Sequence, residues 1–343
     1  MLSARKELAF ALGFVSTVVW AGAWSPVAHG AVGDPDTVTC AYPVWVGFGP
    51  VHLANELGYF ADEGITVEET LDDDMPNALA AMERGDIDCY LRTVGEYQGL
   101  ARRKDTQGMI IGTIDLSTGG DGWAADRSIK SVCDLKGKNI AVEPNLPARL
   151  LMQEALKRQC NLSIADTNLT DIAAADAVGV FASPDVAAVG TYEPVLSLVV
   201  STHQDRGAHI IVSSRDYEDL ILDIIMAHTD ELAAHPDKYV KFLRGIYRAI
   251  DYFYAHQEEA IPIIASFFSI TPEEFKETLP NFRYTPYEEA VNFIGTAEAP
   301  GRAYEVFRDA MALNLEFGSS DVELFPEDHI TPEIIAQVKK DWQ

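Results

Sequence analysis

Basic residues are scarce in this sequence, which has 26 Lys and Arg against 53 Asp and Glu in 343 residues. The formal net charge is -27 at pH 7. Contacts to nucleic-acid phosphates need clustered Lys and Arg side chains. We therefore expect no nucleic-acid partner, and we attribute the excess of acid mainly to solubility.

Long apolar runs are missing after the first thirty residues, so we expect no membrane-spanning helix in the rest of the chain. Residues 1–30 combine a basic start at Arg5 and Lys6, an apolar run over residues 8–23 and a small-x-small site at residues 28–30. This order is typical of a secretory signal peptide. We expect cleavage near Gly30 and an exported, periplasmic protein.

Cysteine is also scarce, and the four that occur have neither CxxC nor Cys/His spacing, which would indicate zinc. In an exported chain, four cysteines favour disulfides, with three possible pairings. Cys133 precedes a predicted strand, and Cys160 ends the helix that should return along it, so we predict that these two pair. Cys40 and Cys89 lie in predicted neighbouring strands. Four buried free thiols remain the alternative, and we expect no metal or other cofactor.

Strands and helices alternate along most of the chain, which predicts an α/β protein with parallel sheets. The first series predicts strands at 37–43, 65–71, 87–93 and 109–116, and helices at 51–59, 76–84 and 95–103. The second predicts strands at 123–125, 139–142, 186–191 and 209–213, and helices at 147–159 and 173–181. Residues 222–227 read as a strand that returns to the first series. Later residues read as helical, at 237–256, 258–268, 272–279, 298–317 and 332–342.

The residues that follow these strands are rich in Gly, aromatic and hydroxyl side chains. Ligands of open α/β sheets bind at the carboxyl ends of the strands, and such loops suit recognition by stacking and a few polar contacts. The predicted ligand-binding residues are Trp45, Gly47, Phe48, Thr93, Asp121, Trp123, Arg149, Tyr192 and Glu193.

Each of these residues also has a structural interpretation, which the sequence leaves open. Trp45 and Phe48 are also compatible with a core position, and Arg149 with a solvated helix surface. Glu96 and Glu193 are placed to cap helices, and Arg92 would need a partner if buried. A cleft-facing carboxylate such as Asp121 would instead favour an amine-bearing ligand.

Five motifs in order resemble the nitrate/sulfonate/taurine group of type II periplasmic substrate-binding proteins of ABC importers. They are P-x-x-L-A-x-x-x-G-Y-F-A-x-E-G-I at residues 50–65, G-D-I-D at 85–88, residues 117–121, D-L-K-G-K at 134–138 and Y-E-P at 192–194. In the last motif the family commonly has Trp where this chain has Tyr192.

The resemblance implies a two-lobe fold of the venus-flytrap type, with lobe 1 at residues 31–121 and 222–343 and lobe 2 at 122–221. It implies a monomer that delivers a small molecule to an inner-membrane ABC permease. A sulfonate or taurine-like ligand is favoured; a thiamine pyrimidine precursor or a guanidine- or urea-like amine is the alternative.

Two other function classes are alternatives to transport. The pyrimidine-precursor synthases resemble the same family, but they carry a cysteine-rich iron-binding motif that this sequence does not have. A sensing domain of a signalling receptor would need a transmembrane helix or an output domain. No nucleophile–base pair can be read from the sequence, so we expect a binding protein and not an enzyme.

Overall fold

The computed structural model of the protein describes residues 33–101, 103–217, 220–316 and 318–342. The expected signal peptide, residues 1–30, lies outside these described residues. Within them, no helix is both long enough and apolar enough to cross a membrane.

Among the described residues, eleven strands form two sheets. In chain order the strands are β1 (Thr37–Tyr42), β2 (Thr66–Leu71), β3 (Cys89–Thr93), β4 (Met109–Ser117), β5 (Asp121–Ala125), β6 (Asn139–Val142), β7 (Asn168–Asp171), β8 (Val186–Tyr192), β9 (His209–Ser213), β10 (Leu222–Ala227) and β11 (Phe282–Tyr284).

The first sheet has the order β11-β4-β10-β3-β1-β2, and with its helices it forms lobe 1. Strand β1 is parallel to β2 and β3, whereas β10 is antiparallel to both of its neighbours, β3 and β4. The second sheet, in lobe 2, has the order β7-β6-β8-β5-β9, and β5 is its antiparallel strand. The predicted two-lobe α/β fold is confirmed, but among the described strands the sheets are mixed, with four parallel pairs and five antiparallel pairs.

Helices connect and cover the strands. They are α1 (Gly49–Glu56), α2 (Tyr59–Asp62), α3 (Met75–Arg84), α4 (Val94–Leu100), α5 (Pro147–Cys160), α6 (Ala177–Phe181), α7 (Val195–Thr202), α8 (Thr229–Ala234), α9 (Pro236–Ala255), α10 (Gln257–Phe267), α11 (Pro272–Thr278), α12 (Tyr287–Ile294), α13 (Arg302–Glu316) and α14 (Pro326–His329). Pro occupies the first turn of α1, α3 and α5, where its missing N–H costs nothing.

The chain crosses between the lobes twice, from β4 to β5 and from β9 to β10. The two crossing segments, residues 117–121 and 213–222, contact each other because the hydroxyls of Ser117 and Ser214 are hydrogen-bonded at 2.8 Å. The Gly119 N–H also donates to Ser214 Oγ at 2.7 Å. The predicted lobe boundaries, after residues 121 and 221, fall at the ends of these segments and stay a proposal. Asp121 itself begins β5 of the second sheet and is therefore counted with lobe 2 below.

Both sheets are buried among apolar side chains. In lobe 1, Leu91 and Ile225 of adjacent strands have no exposed surface and pack with Phe242 of α9. In lobe 2, Trp123 is fully buried against α5. Burial of this kind is the main stabilising contribution to such a fold, and it fixes the strand ends from which the loops extend.

The C-terminal part of the chain differs from the sequence-based prediction. The predicted helix at 332–342 is wrong, because only residues 335–337 form a single 3-10 turn. The backbone carbonyls in this segment accept hydrogen bonds from distant side chains instead of from helical N–H groups. Tyr287 Oη donates to the Val338 carbonyl at 2.7 Å, and Arg244 Nη1 donates to the Lys339 carbonyl at 2.5 Å. Strand β11 and helix α12 also lie where neither was predicted.

Two disulfides account for all four cysteines. Cys133 and Cys160 are joined with their Cα atoms 5.6 Å apart, which matches the predicted return of α5 along β6. Cys40 and Cys89, which face each other across the parallel pair β1–β3, form the second bridge.

Candidate functional site

A cavity of about 470 Å³ lies between the lobes, at the carboxyl ends of β1, β2 and β3 in lobe 1 and of β6, β7 and β8 in lobe 2. This volume is within the range of small-molecule sites, about 300–1,000 Å³. The lining side chains are those of Pro43, Trp45, Phe48, Asp73, Asp74, Met75, Pro76, Arg92, Thr93, Glu96, Asp121, Glu143, Leu146, Pro147, Ala173, Ala174, Ala175, Tyr192 and Asp223.

The turn after β1 positions an aromatic wall. The indole N–H of Trp45 donates to Asp115 Oδ2 at 3.1 Å, which fixes the ring plane. Gly47 makes this bond possible, because a Cβ at that position would collide with Trp45 Nε1 and with Asp115 Oδ2. Across the cavity, the Tyr192 ring meets Trp45 edge-on with centroids 6.3 Å apart.

Behind Trp45, two buried carboxyl groups share a hydrogen bond. Asp115 and Asp223 are direct partners across the antiparallel pair β4–β10 and are 0% and 3% exposed. Burial raises the pKa of Asp115 to about 7, while hydrogen bonds from Asp223 and Trp45 oppose the rise. Burial, the Asp115 charge and the bond between the two raise the pKa of Asp223 well above its ordinary value.

The end of β3 supplies a capping box to α4. Thr93 Oγ1 accepts from the Glu96 N–H at 3.2 Å, and Glu96 Oε2 accepts from the Thr93 N–H at 2.9 Å. The structural interpretation of Glu96 as a helix cap is therefore correct, although its side chain also lines the cavity.

Arg92 is the one basic side chain among the described residues that line this cavity. Its Nε donates to Tyr90 Oη at 2.6 Å, and one Nη donates to the Asp72 carbonyl at 2.9 Å. Its other Nη lies 3.5 Å from Glu96 Oε1. The protein itself thus engages all three guanidinium nitrogens.

Lobe 2 contributes Asp121, Glu143 and Tyr192. Burial raises the pKa of Asp121 to about 7, and the carboxylates of Glu96, Asp115 and Glu193 add to the rise against a bond from Ser117. Burial also raises the pKa of Glu143, whose Oε2 accepts from the Ala174 N–H at 2.8 Å. The pKa of Tyr192 is raised by burial, so its hydroxyl stays protonated.

Five of the predicted ligand-binding residues come together on this cavity wall: Trp45, Phe48, Thr93, Asp121 and Tyr192. The other four lie outside the lining. Gly47 acts behind it, as described for Trp45. Trp123, two residues beyond Asp121 on β5, points the same way but lies deeper, and its indole N–H donates to the Ala148 carbonyl at 2.6 Å.

Arg149 and Glu193 are engaged by their own lobe. Arg149 lies in the first turn of α5, and its Nη1 is 3.2 Å from Asp171 Oδ1. Glu193 accepts from the Ser197 N–H at 3.1 Å and from its hydroxyl at 2.8 Å, so it caps the first turn of α7, as its structural interpretation held.

Several lining carboxylates were not predicted from the sequence. Asp73 and Asp74 follow β2, Glu143 follows β6, and Asp223 lies in the antiparallel strand β10. The position of Asp73, Asp74 and Glu143 directly after parallel strands is a signal that could have found them. Asp223 had no such signal, because it lies near the start of its strand.

The chain has the two-lobe fold of periplasmic binding proteins, with a cavity between the lobes. The chain belongs to the NMT1/THI5-like family, whose sequence model matches residues 45–260. A protein of Brucella abortus, named as a candidate binding protein, is 22% identical over 279 residues that cover 81% of this chain and 84% of the relative.

Solved structures with the same fold include binding proteins and an enzyme. The alkanesulfonate-binding protein SsuA from Xanthomonas axonopodis, bound to MOPS, has a TM-score of 0.68 at 16% identity and covers 87% of this chain and 98% of its own. The periplasmic nitrate-binding protein NrtA from Synechocystis has a TM-score of 0.66 at 13% identity, covering 89% and 86%. The desulfurization enzyme DSZB has a TM-score of 0.63 at 14% identity, covering 88% and 98%.

Proposed function

We propose that this chain is the periplasmic solute-binding component of an ABC importer, which captures a small organic molecule between its lobes. The observation that carries this proposal is the interlobe cavity, whose wall takes side chains from both sheets of a fold shared with periplasmic binding proteins. The signal peptide expected at residues 1–30 supports export, and the fold shared with sulfonate- and nitrate-binding proteins supports a transport role.

Binding to such a site is coupled to the arrangement of the lobes. A ligand that contacts Trp45 and Thr93 from lobe 1 and Asp121 and Tyr192 from lobe 2 stabilises the closed arrangement more than an open one. The crossing segments at 117–121 and 213–222 are where the backbone would bend. An inner-membrane permease would then recognise the closed, monomeric protein.

The charge of the cavity bears on the ligand. The sequence favours a sulfonate or taurine-like molecule, with a thiamine pyrimidine precursor or a guanidine- or urea-like amine as the alternative. Six carboxyl side chains line the cavity together with one guanidinium: Asp73, Asp74, Glu96, Asp121, Glu143 and Asp223, with Arg92. This balance supports the amine alternative over the sulfonate.

A two-part experiment tests the binding function. Protein purified from a periplasmic extract is denatured, and the released small molecules are identified by mass spectrometry. The same molecules are then titrated into refolded protein by calorimetry. We expect one ligand per chain, recovered unchanged after long incubation.

Turnover is the outcome that would contradict this proposal. Recovery of a chemically converted ligand would revive an enzymatic role, for which the fold similarity to DSZB is the specific observation. A second check is fractionation of cells that express the full chain or a version without residues 1–30. Only the full chain should reach the periplasm.

A further inference from the structure

We propose that the ligand of the interlobe cavity is a small organic cation, whose ammonium or amidinium group lies between Asp121 of lobe 2 and Asp223 of lobe 1. This inference rests on the proposed binding function and specifies its substrate class. It departs from the sulfonate and nitrate that name the similar binding proteins.

The first argument is the imbalance of charge in an enclosed space. Six carboxyl groups face the cavity and one guanidinium does. Within low-dielectric walls, unbalanced charge of one sign is costly and favours a ligand of the opposite sign. A sulfonate placed here would add a further negative charge to the same walls.

The second argument is that the guanidinium is already used. Arg92 is 4% exposed, and its nitrogens contact Tyr90, the Asp72 carbonyl and Glu96. An anionic ligand would have to compete with Glu96 for this group. Arg92 therefore acts chiefly as a partner of the protein's own acids.

The third argument is that two deep carboxyls have no ion pair with a basic side chain among the described residues. Asp121 and Asp223 are 6% and 3% exposed, and both line the cavity. The side chain of Asp121 has a bond from Ser117, and that of Asp223 has only the carboxyl group of Asp115. Glu96 is better satisfied, because it accepts from the N–H and the hydroxyl of Thr93 and also contacts Arg92. Asp121 and Asp223 each have one such bond within the protein, and their remaining acceptor sites can take N–H groups of a ligand.

The aromatic wall matches the same ligand. Trp45, Phe48 and Tyr192 surround the space in front of these carboxyls, and Trp45 and Tyr192 come from different lobes. A cation that lies against aromatic faces gains an attraction that an anion does not. The aromatic surface and the volume of about 470 Å³ favour an organic cation over a bare metal ion.

The location of the two carboxyls links charge to closure. Asp121 begins β5 of the second sheet at the end of one crossing, whereas Asp223 lies in β10 of the first sheet directly after the other crossing, and the Asp121 charge adds to the raised pKa of Asp223. Without a cation the two acids repel each other or hold a proton. A cation between them would remove that repulsion and so draw the lobes together.

Calorimetric titration at pH 7 and constant ionic strength tests the proposal with named probes. The cations are guanidinium, putrescine and choline; the anions and zwitterion are ethanesulfonate, nitrate and taurine; and Ca²⁺ and Zn²⁺ serve as metal probes. We expect at least one organic cation to bind and to release protons, which titration in phosphate and Tris buffers measures. Anions should show no saturable binding.

Two near-isosteric variants locate the cation. Asp121→Asn and Asp223→Asn should each weaken binding of the cation about 10- to 100-fold, because each removes a carboxyl group that becomes the cation's charged partner when it binds. Asp223→Asn keeps a donor toward Asp115 and should stay folded, which circular dichroism checks. Asp86→Asn is the matched control, since this exposed carboxyl pairs with Arg84 near the opposite end of β3.

The outcomes separate this inference from the binding function. Saturable binding of ethanesulfonate, taurine or nitrate without a cation would overturn the inference and leave the binding function intact. Binding of a metal ion alone, or of no cation at all, would also overturn it. Cation binding unchanged by both variants would remove Asp121 and Asp223 from the site. A converted cation would support the ligand class and contradict the transport role.

Discussion

At the scale of single residues, Gly47 determines the shape of the aromatic wall without touching the cavity. Its hydrogen lies where any Cβ would overlap both Trp45 Nε1 and Asp115 Oδ2. Since the bond between those two atoms fixes the indole, the aromatic wall depends on a residue that does not itself line the cavity.

Gly47→Ala should therefore weaken ligand binding about 10-fold and lower the free energy of unfolding by about 1–3 kcal/mol, the usual range for overpacking. Calorimetry with a bound ligand and urea denaturation measure the two effects. Gly179→Ala is the control, because the space around a Cβ there is open. Equal behaviour of the two variants would contradict the role of Gly47.

The pH dependence of stability follows from Asp115 and Asp121, whose folded-state pKa is raised to about 7 for each. Between their unfolded pKa, about 4, and about 7, these groups bind more protons when folded than when unfolded. Unfolding free energy must then fall as pH rises through this window. The expected result is a Tm of ligand-free protein that decreases from pH 5 to pH 7.5.

Asp121→Asn should flatten this decrease, since it removes one of the two groups. Thermal melts at matched ionic strength provide the measurement, with Asp86→Asn as the control for overall charge. A variant melt as steep as that of the natural protein would show that Asp121 ionises normally in the fold.

At the scale of elements, the Cys133–Cys160 bridge ties the 3-10 turn at residues 132–135 to the end of α5. Helix α5 begins at Pro147, which lines the cavity, and ends at Cys160. The bridge therefore fixes the far end of a helix whose first residue is part of the site. Its sequence separation of 27 residues sets the entropy that it removes from the unfolded chain.

Replacing both Cys133 and Cys160 by Ser should lower the free energy of unfolding by about 3 kcal/mol, according to the chain-entropy estimate. Urea denaturation measures this loss, and peptide mapping under non-reducing conditions checks the pairing. Peptides that link Cys133 to Cys40 or Cys89 would contradict the arrangement. So would a free thiol at Cys160 in the exported protein.

At the scale of the whole molecule, the two lobes are connected only by a pair of crossings within the described residues. Ser117, Gly119 and Ser214 hold these crossings together by short hydrogen bonds. A pair of adjacent crossings allows rotation of one lobe about the other with little change inside either sheet.

Saturation with a bound ligand should therefore reduce the radius of gyration measured by small-angle X-ray scattering. The reduction should be lost in Asp121→Asn at the same ligand concentration, because a ligand contact of lobe 2 is removed. Asp86→Asn should compact like the natural protein. Compaction that persists in Asp121→Asn at full loss of binding would mean that closure does not depend on the ligand.

Much of this molecule followed from local sequence. The alternation of apolar strands and helices predicted nine of the eleven described strands within two residues, among them β6 (Asn139–Val142), β9 (His209–Ser213) and β10 (Leu222–Ala227). These elements are specified locally, by side-chain periodicity and by Pro at helix starts. Ligands of open α/β sheets bind at the carboxyl ends of the strands. This expectation correctly selected Trp45, Phe48, Thr93, Asp121 and Tyr192, which line one cavity.

Only the tertiary structure decided the rest, because it depends on contacts between residues distant in sequence. Strand β7 (Asn168–Asp171) is polar and forms by pairing with β6, and residues 338–339 bond to Tyr287 and Arg244 instead of forming a helix. The position of one acidic residue of the cavity, Asp223, also depends on such contacts. Asp223 faces Asp115 across two strands more than one hundred residues apart, and no local pattern of either strand specifies that meeting.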